Sequence, residues 1–190
     1  MKMASIEGFL ADPEGVTEWY DGRRTFIAEA TPNDAHRALA ATTGMVHITQ
    51  NIDRLLEKAG ASSVIHLHGH VDRDHCLDEC GHSEEIDPRN PKGLRNCPKC
   101  GALMRPSIVL FGEMLPEREW MRAHMAVVGA DVLLVIGTSA EVYPAAGLIA
   151  LARDHGAKVV VVNTESSAAS GLAAVELIGQ AGEILPELLA

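Results

Sequence analysis

Positive charge is what this 190-residue chain lacks most: 16 lysines and arginines stand against 26 aspartates and glutamates, a formal net charge of −10. Such a surface repels nucleic-acid phosphates, which excludes a general nucleic-acid binder. No segment approaches the roughly 20 apolar residues of a membrane-spanning helix. The sequence shows no secretory signal, so a soluble, cytoplasmic protein in a reducing compartment is expected. No internal repeat or low-complexity tract is visible. Aromatic residues are only 4% of the chain while small apolar residues are plentiful, the balance of an open α/β sheet on which helices pack closely. The length fits one domain with at most a small insert.

The insert is marked by cysteine. Cys97-Pro98-Lys99-Cys100 followed by Gly101 reads as a zinc knuckle, a tight turn that offers two thiolates to one tetrahedral ion. Cys76 and Cys80 supply the second pair. Sixteen residues separate the pairs, as in four-cysteine zinc ribbons, although three residues stand between Cys76 and Cys80 where two are commoner. Unmetallated thiols or a disulfide are the competing reading, which a reducing compartment disfavours. His75 and His82 flank the first pair and offer substitute ligands. The polar loop Pro88 to Gly93 falls inside this module, whose expected bounds are residues 71–105, between the two parts, 1–70 and 106–190, of a nucleotide-binding domain.

Periodicity gives the rest of the frame. Asp12-Pro13 opens a helix to about Ala30, with Gly22 weakening its middle, and Thr31-Pro32 opens a second to about Ala41. Met45 to Thr49, Val64 to Leu67, Ile108 to Phe111, Val132 to Ile136 and Val159 to Val162 are short, β-branched apolar runs that read as buried parallel strands, with Val175 to Ile178 as an edge. Helical patterns cover Ile52 to Ala59, Glu117 to Val128 and Pro144 to His155. Alternating strands and helices predict an α/β fold, a Rossmann-like doubly wound parallel sheet with the zinc module inserted.

In such sheets the chemistry gathers in loops at the carboxyl ends of strands. Four loops qualify: Gln50 to Asp53, His68-Gly69, Phe111 to Glu113 and Gly137 to Ser139. Gly137-Thr138-Ser139 suits a ribose or phosphate, or else caps a helix. Five of the nine histidines lie between His66 and His82. His68 stands out because it ends a strand beside a glycine, where an imidazole can enter the crevice, and His70 is its local competitor. His36, His47, His124 and His155 default to surface or packing roles.

In this order, Thr49-Gln50-Asn51-Ile52-Asp53, Leu67-His68-Gly69, the paired cysteines, Phe111-Gly112-Glu113, Gly137-Thr138-Ser139, Tyr143 to Gly147 and Val162-Asn163 resemble the sirtuins, NAD-dependent protein lysine deacylases, over about residues 12 to 186. The resemblance implies transfer of an acyl group from lysine to ADP-ribose with release of nicotinamide. It implies His68 as general base with Asn51 beside it, and Gln50, Asn51, Ile52 and Asp53 at the nicotinamide and ribose. Gly137, Thr138, Ser139, Asn163, Thr164, Glu165 and Ala181 would hold the adenosine half. Phe111, Gly112 and Glu113 would pair with the backbone of an acylated peptide as an added strand. The zinc would be structural. Tyr20 and Arg23, three apart on one helix face, suit a carboxylate, or are a packed tyrosine beside a solvated arginine. The resemblance to class III sirtuins, which carry Tyr-x-x-Arg here, implies that they read a succinyl or malonyl group.

The sequence also departs from the family. Sirtuins begin with a strand, a GAGxS loop for the pyrophosphate and a GIPDFR-like motif, and none of the three is present here. The absent strand belongs at the middle of the sheet, so its two neighbours are expected to keep unpaired edges. Arg54-Leu55-Leu56 stands where the family usually has Gly-Leu-His. A second function therefore stands beside the enzyme: a catalytically inactive remnant, a zinc-stabilised module that binds acylated peptides or a partner.

Overall fold

Asp12 and Pro13 start a helix by their own chemistry. The Asp12 carboxylate accepts the Gly15 N–H at 2.9 Å, and proline fills the first helical position, where no donor is needed. The computed structural model describes residues 2–190. Its elements run α1 (Ile6–Ala11), α2 (Pro13–Glu29), α3 (Asp34–Ala41), β1 (His47–Thr49), α4 (Leu55–Lys58), β2 (Val64–His66), β3 (Gly69–Cys76), β4 (Ser83–Glu85), β5 (Met104–Ile108), α5 (Glu117–Val128), β6 (Val132–Ile136), α6 (Gly147–Asp154), β7 (Lys158–Asn163), β8 (Val175–Ile178) and α7 (Ala181–Leu188). They form two compact units. One holds the residues to Thr31 with Thr49–Arg54 and His66–Pro116; the other holds Pro32–Ile48, Leu55–Ile65 and Glu117–Ala190.

In the first unit Phe9, Val16, Tyr20, Val71, Ile108 and Leu110 form one buried cluster that joins α1 and α2 to the antiparallel sheet β4-β3-β5. Gly22 does not interrupt α2. The expected parallel strand Ile108 to Phe111 does not form. The strand is Met104–Ile108, and it runs antiparallel to β3. Beyond it Val109 donates to the His68 carbonyl, and the backbone of Phe111 is held on both sides, its N–H by the Ala4 carbonyl and its C=O by the Ile6 N–H. The β3–β5 register slips between His70 and Asp74, which brings Pro106 opposite Asp74. Proline has no N–H to give, so it fits where the ladder is already broken.

The second unit carries the parallel sheet β6-β7-β8 with β8 at its edge. Alternation along β7 sends Val159 and Val161 into a cluster with Val135, Ile149 and Ala169, and Val162 into another with Ala35 and Leu185. Helices therefore cover both faces: α6 lies on one, α3 and α7 on the other. This is the doubly wound arrangement in a shortened form. β6 hydrogen-bonds to β7 alone and β1 to β2 alone among the described residues, which leaves each with an open edge.

Three helix starts differ from expectation, the simplest being α6, which begins at Gly147 rather than Pro144. α3 begins at Asp34, capped by Asn33, whose side chain accepts the His36 N–H at 3.1 Å, rather than at Thr31-Pro32. Thus His36 belongs to a capping box. α4 is one turn, Leu55–Lys58, because Ile52 is held outside it by the Val71 N–H at 3.0 Å and Arg54 is drawn to Asp72.

Candidate functional site

The loop after β1 is fixed from below. Asn51 N–H donates to Thr49 Oγ1 at 3.0 Å, and the Ile52 side chain joins the core of the first unit. This leaves Gln50, Asn51, Ile52 and Asp53 along one wall of an open cleft of about 660 Å³, with Trp19, Gly22, Arg23, Phe26 and Ile27 of α2 along the other. Gly22 has no atom within 4 Å of where a Cβ would stand, so its place in the helix keeps the cleft wall low.

His68 is tied to this cleft. Its Nδ1–H donates to the Gln50 carbonyl at 2.9 Å, which fixes the ring and leaves Nε2 as the basic nitrogen of the neutral imidazole. Partial burial lowers its pKa below the ordinary histidine value, and the hydrogen bond to Gln50 opposes that shift without reversing it. His70 is engaged elsewhere, its ring 4.0 Å from that of His66. Gly69 is required by the turn. Its φ is +74°, and a Cβ there would be driven into the Ser107 carbonyl of the neighbouring strand. Gly69→Ala is therefore expected to destabilise the first unit by about 2–5 kcal/mol through combined backbone strain and overlap. Denaturant unfolding measures this, and a loss under about 0.5 kcal/mol, the level of an ordinary surface change, contradicts it.

Tyr20 and Arg23 share a helix face but differ in surroundings. Tyr20 is 4% exposed and its phenol pKa is raised by burial, against the lowering effect of Arg23 and Arg105. Arg23 reaches the cleft with its guanidinium 4.5 Å from the centre of the Trp19 ring, and Trp19 in turn meets Tyr20 edge-on at 4.6 Å. Sequence reading gave Trp19 and Phe26 no role. Their spacing about Arg23 on one helix face was the signal that could have found them.

At the Phe111 to Glu113 turn, the Glu113 carboxylate faces inward. It grips Arg105 through both oxygens and accepts the Leu110 N–H at 2.7 Å. Although burial raises its pKa, the Arg105 guanidinium and the Leu110 N–H hold it below the usual carboxylate range. With Phe111 paired to Ala4 and Ile6, the Gly112 backbone is the part of this turn with no hydrogen bond among the described residues.

Cys76, Cys80, Cys97 and Cys100 converge, their sulfurs all within 4.8 Å of one another. None forms a disulfide. A tetrahedral zinc–thiolate site needs sulfurs about 3.8 Å apart, given Zn–S bonds of about 2.3 Å. Cys76–Cys100 at 3.3 Å and Cys80–Cys97 at 3.6 Å fit with slight expansion. Burial raises the Cys97 thiol, but the N–H groups of Lys99 and Cys100 in the knuckle turn and the Cys80 and Cys100 sulfurs bring it to about 7. At Cys100 the Ala102 N–H lowers the thiol, whereas the neighbouring sulfurs push it up to about 12, so without a cation the cluster shares its thiolate character unevenly.

In the second unit Gly137 turns at φ +60° after β6. Asn163, at the end of β7, donates to the Thr138 carbonyl at 3.0 Å and accepts the Thr164 N–H at 2.9 Å. Gly137, Thr138, Ser139, Asn163 and Thr164 are thus brought together, with Glu165 following in the exposed loop and Ala181 opening α7. The next helix starts only at Gly147, so this turn caps no helix.

The Sir2 family model matches residues 1–144. The chain belongs to the Sir2 family. It is 41% identical to the NAD-dependent protein deacylase of Thermococcus kodakarensis over 99% of this chain and 77% of that one. It is 43% identical to the deacylase Sir2 of Mycolicibacterium smegmatis over 99% and 81%. Among Sir2 structures, a homolog in complex with NAD superposes with a TM-score of 0.94 at 40% identity, covering 99% of this chain and 75% of that one. One bound to acetylated peptide gives 0.91 at 30% identity, covering 99% and 82%. A structural zinc fits the cysteine cluster of this family member.

Proposed function

We propose that this Sir2 family member is an NAD-dependent protein lysine deacylase that favours succinyl- or malonyl-lysine over acetyl-lysine. The observation that carries the catalytic half is the bond from His68 to Gln50, which sets a neutral imidazole at the wall formed by Gln50 to Asp53. NAD, when bound, would supply an electrophilic ribose carbon to the acyl carbonyl oxygen, with nicotinamide as the leaving group. His68 Nε2 removes the proton from a ribose hydroxyl, a role suited to an imidazole at neutral pH. Asn51, Gln50, Ile52 and Asp53 hold the nicotinamide and ribose, while Gly137, Thr138, Ser139, Asn163, Thr164, Glu165 and Ala181 hold the adenosine half. Gly112 receives the peptide backbone; Phe111 and Glu113 shape the turn around it. The zinc module, residues 71–105, is an insert in the NAD-binding domain.

The acyl preference rests on Arg23. A guanidinium stacked on Trp19 and facing an open cleft can take a carboxylate in a bidentate fork, with the Tyr20 phenol beside it. Arg23→Met is expected to abolish the preference for succinyl-lysine while sparing acetyl-lysine, since only the acidic substrate needs the cation. Comparing kcat/KM for succinyl and acetyl peptides decides it, with the chain fused behind a sirtuin strand and GAGxS loop. An unmutated enzyme that favours acetyl-lysine overturns the reading, as does equal weakening of both substrates.

The open edges of β1 and β6 favour a second reading, a zinc-stabilised module that binds acylated peptides without turnover. Peptide binding with no nicotinamide release even from the chain fused behind a sirtuin strand and GAGxS loop would select it.

A further inference from the structure

α2 carries two interleaved pairs on one turn. Tyr20 and Arg23 are one pair, facing the phenol's surroundings and the cleft. Asp21 and Arg24 are the other, and they enter the protein. Arg24 is 1% exposed, a depth that a charged side chain reaches only when its donors are taken up. Every nitrogen of its guanidinium has an acceptor. Nε donates to the Val71 carbonyl at 2.6 Å, Nη1 to Asp21, and Nη2 to Asp74 and, at 3.4 Å, to the Arg73 carbonyl. The slip in the β3–β5 register covers residues 71–73, the stretch whose carbonyls Arg24 collects.

The contacts continue beyond Asp74. Its second oxygen takes Arg95 Nη1 at 2.6 Å, and Arg95 also grips Glu84, which holds Lys92 at 2.8 Å. Asp21 reaches the same region independently, accepting the Gly93 N–H at 3.1 Å. Asp74 stands two residues before Cys76 and Arg95 two before Cys97, so both cysteine pairs are entered from a member of this chain of charges. One turn of α2 is thereby bolted to β3 and to the loop before Cys97, the two segments that lead into the metal cluster.

We propose that Arg24 is a positioning residue, which fixes the turn of α2 bearing Trp19, Tyr20 and Arg23 against the two cysteine-bearing segments and so sets where the Arg23 guanidinium stands in the cleft. The part concerning acyl recognition rests on the reading of Arg23 given above; the mechanical part does not.

The test uses the zinc-loaded full chain in a Trp120→Phe background, where Trp19 is the single tryptophan and reports on the Arg23 stack. Arg95→Gln breaks the chain of charges beyond Asp74 at a partly exposed position, so the fold survives. Arg73→Gln removes a neighbouring exposed pair with Glu85 and is the control. Arg95→Gln is expected to shift Trp19 emission to the red and steepen its quenching by acrylamide, with zinc content and far-UV circular dichroism unchanged; Arg73→Gln leaves both signals as they were. Arg24→Lys, which keeps the charge and loses the fork, is expected to shift further. It should also raise the dissociation constant of a succinyl-lysine peptide by roughly tenfold relative to an acetyl-lysine peptide. Unaltered Trp19 signals in both Arg95→Gln and Arg24→Lys, or equal shifts in the Arg73→Gln control, overturn the proposal. Arg23→Met is measured alongside: if it leaves succinyl binding intact, the acyl reading falls and the Trp19 signals alone decide the role of Arg24.

Discussion

His68→Ala is expected to lower deacylation by roughly 10²-fold or more, the usual scale for a lost general base. The ring is held by one hydrogen bond to the Gln50 carbonyl, and that bond determines which nitrogen is free. Alanine removes the base but leaves the loop from Gln50 to Asp53 anchored by Thr49 and Val71, so the KM for the peptide should change little. The pH profile adds a second check. Only the neutral imidazole accepts the proton, and burial lowers the pKa of His68 below its ordinary value. The acid limb of kcat/KM should therefore lie below about 6.5, the unperturbed histidine value, and disappear in the alanine variant. Steady-state nicotinamide release from the chain fused behind a sirtuin strand and GAGxS loop measures both. A larger loss from His70→Ala reassigns the base, and an acid limb above the ordinary histidine range removes the desolvation argument.

The largest structural effect should come from the metal cluster. Cys97→Ser together with Cys100→Ser is expected to reduce zinc from one ion per chain to near none and to abolish cooperative melting of the first unit. Cys76, Cys97 and Met104 form a small buried cluster of their own, and among the described residues no long apolar side chain other than Met104 joins it to hold it without metal. Structural zinc sites in small modules contribute about 10–16 kcal/mol of apparent binding energy at neutral pH, and here that energy closes the ends of β3 and β5. Metal analysis after chelator-free purification and a thermal scan follow the two effects. Near-zero zinc in the unmutated chain defeats the assignment, as does full retention after the double substitution.

The elements legible from sequence are those whose burial follows their own period. β6, β7 and α5 stand where the apolar pattern put them, because each is bounded by charge or glycine and packs through its own faces. The first unit was less legible. Met104-Arg105-Pro106-Ser107-Ile108 holds an arginine and a proline, and looks less like a strand than the apolar Val109-Leu110-Phe111 after it. It is the strand because Arg105 is covered by Glu113 and Pro106 faces a broken ladder. β3, with Asp72, Arg73 and Asp74 at its middle, reads as a polar loop for the same reason. In β3 the charges are neutralised by partners distant in sequence, Arg24 and Arg54, and in β5 by Glu113 folded back across the following turn, neither of which periodicity can show. The site divides along that line: His68, Gln50 to Asp53 and the four cysteines were visible as motifs, whereas the burial of Arg24 and the inward turn of Glu113 depend on tertiary pairing.

β6 has a consequence for the protein in solution. Lys158 donates to the Asp131 carbonyl and Gly137 to that of Val162, so in this parallel ladder the N–H and C=O groups of Val132, Leu134 and Ile136 point away from β7. Valine, leucine and isoleucine alone make up that edge, with no lysine, proline or bulge to discourage an incoming chain. Storage at high concentration should therefore give light scattering that grows with time and is seeded by preformed aggregates, and a single Leu134→Lys at the centre of the edge should suppress it.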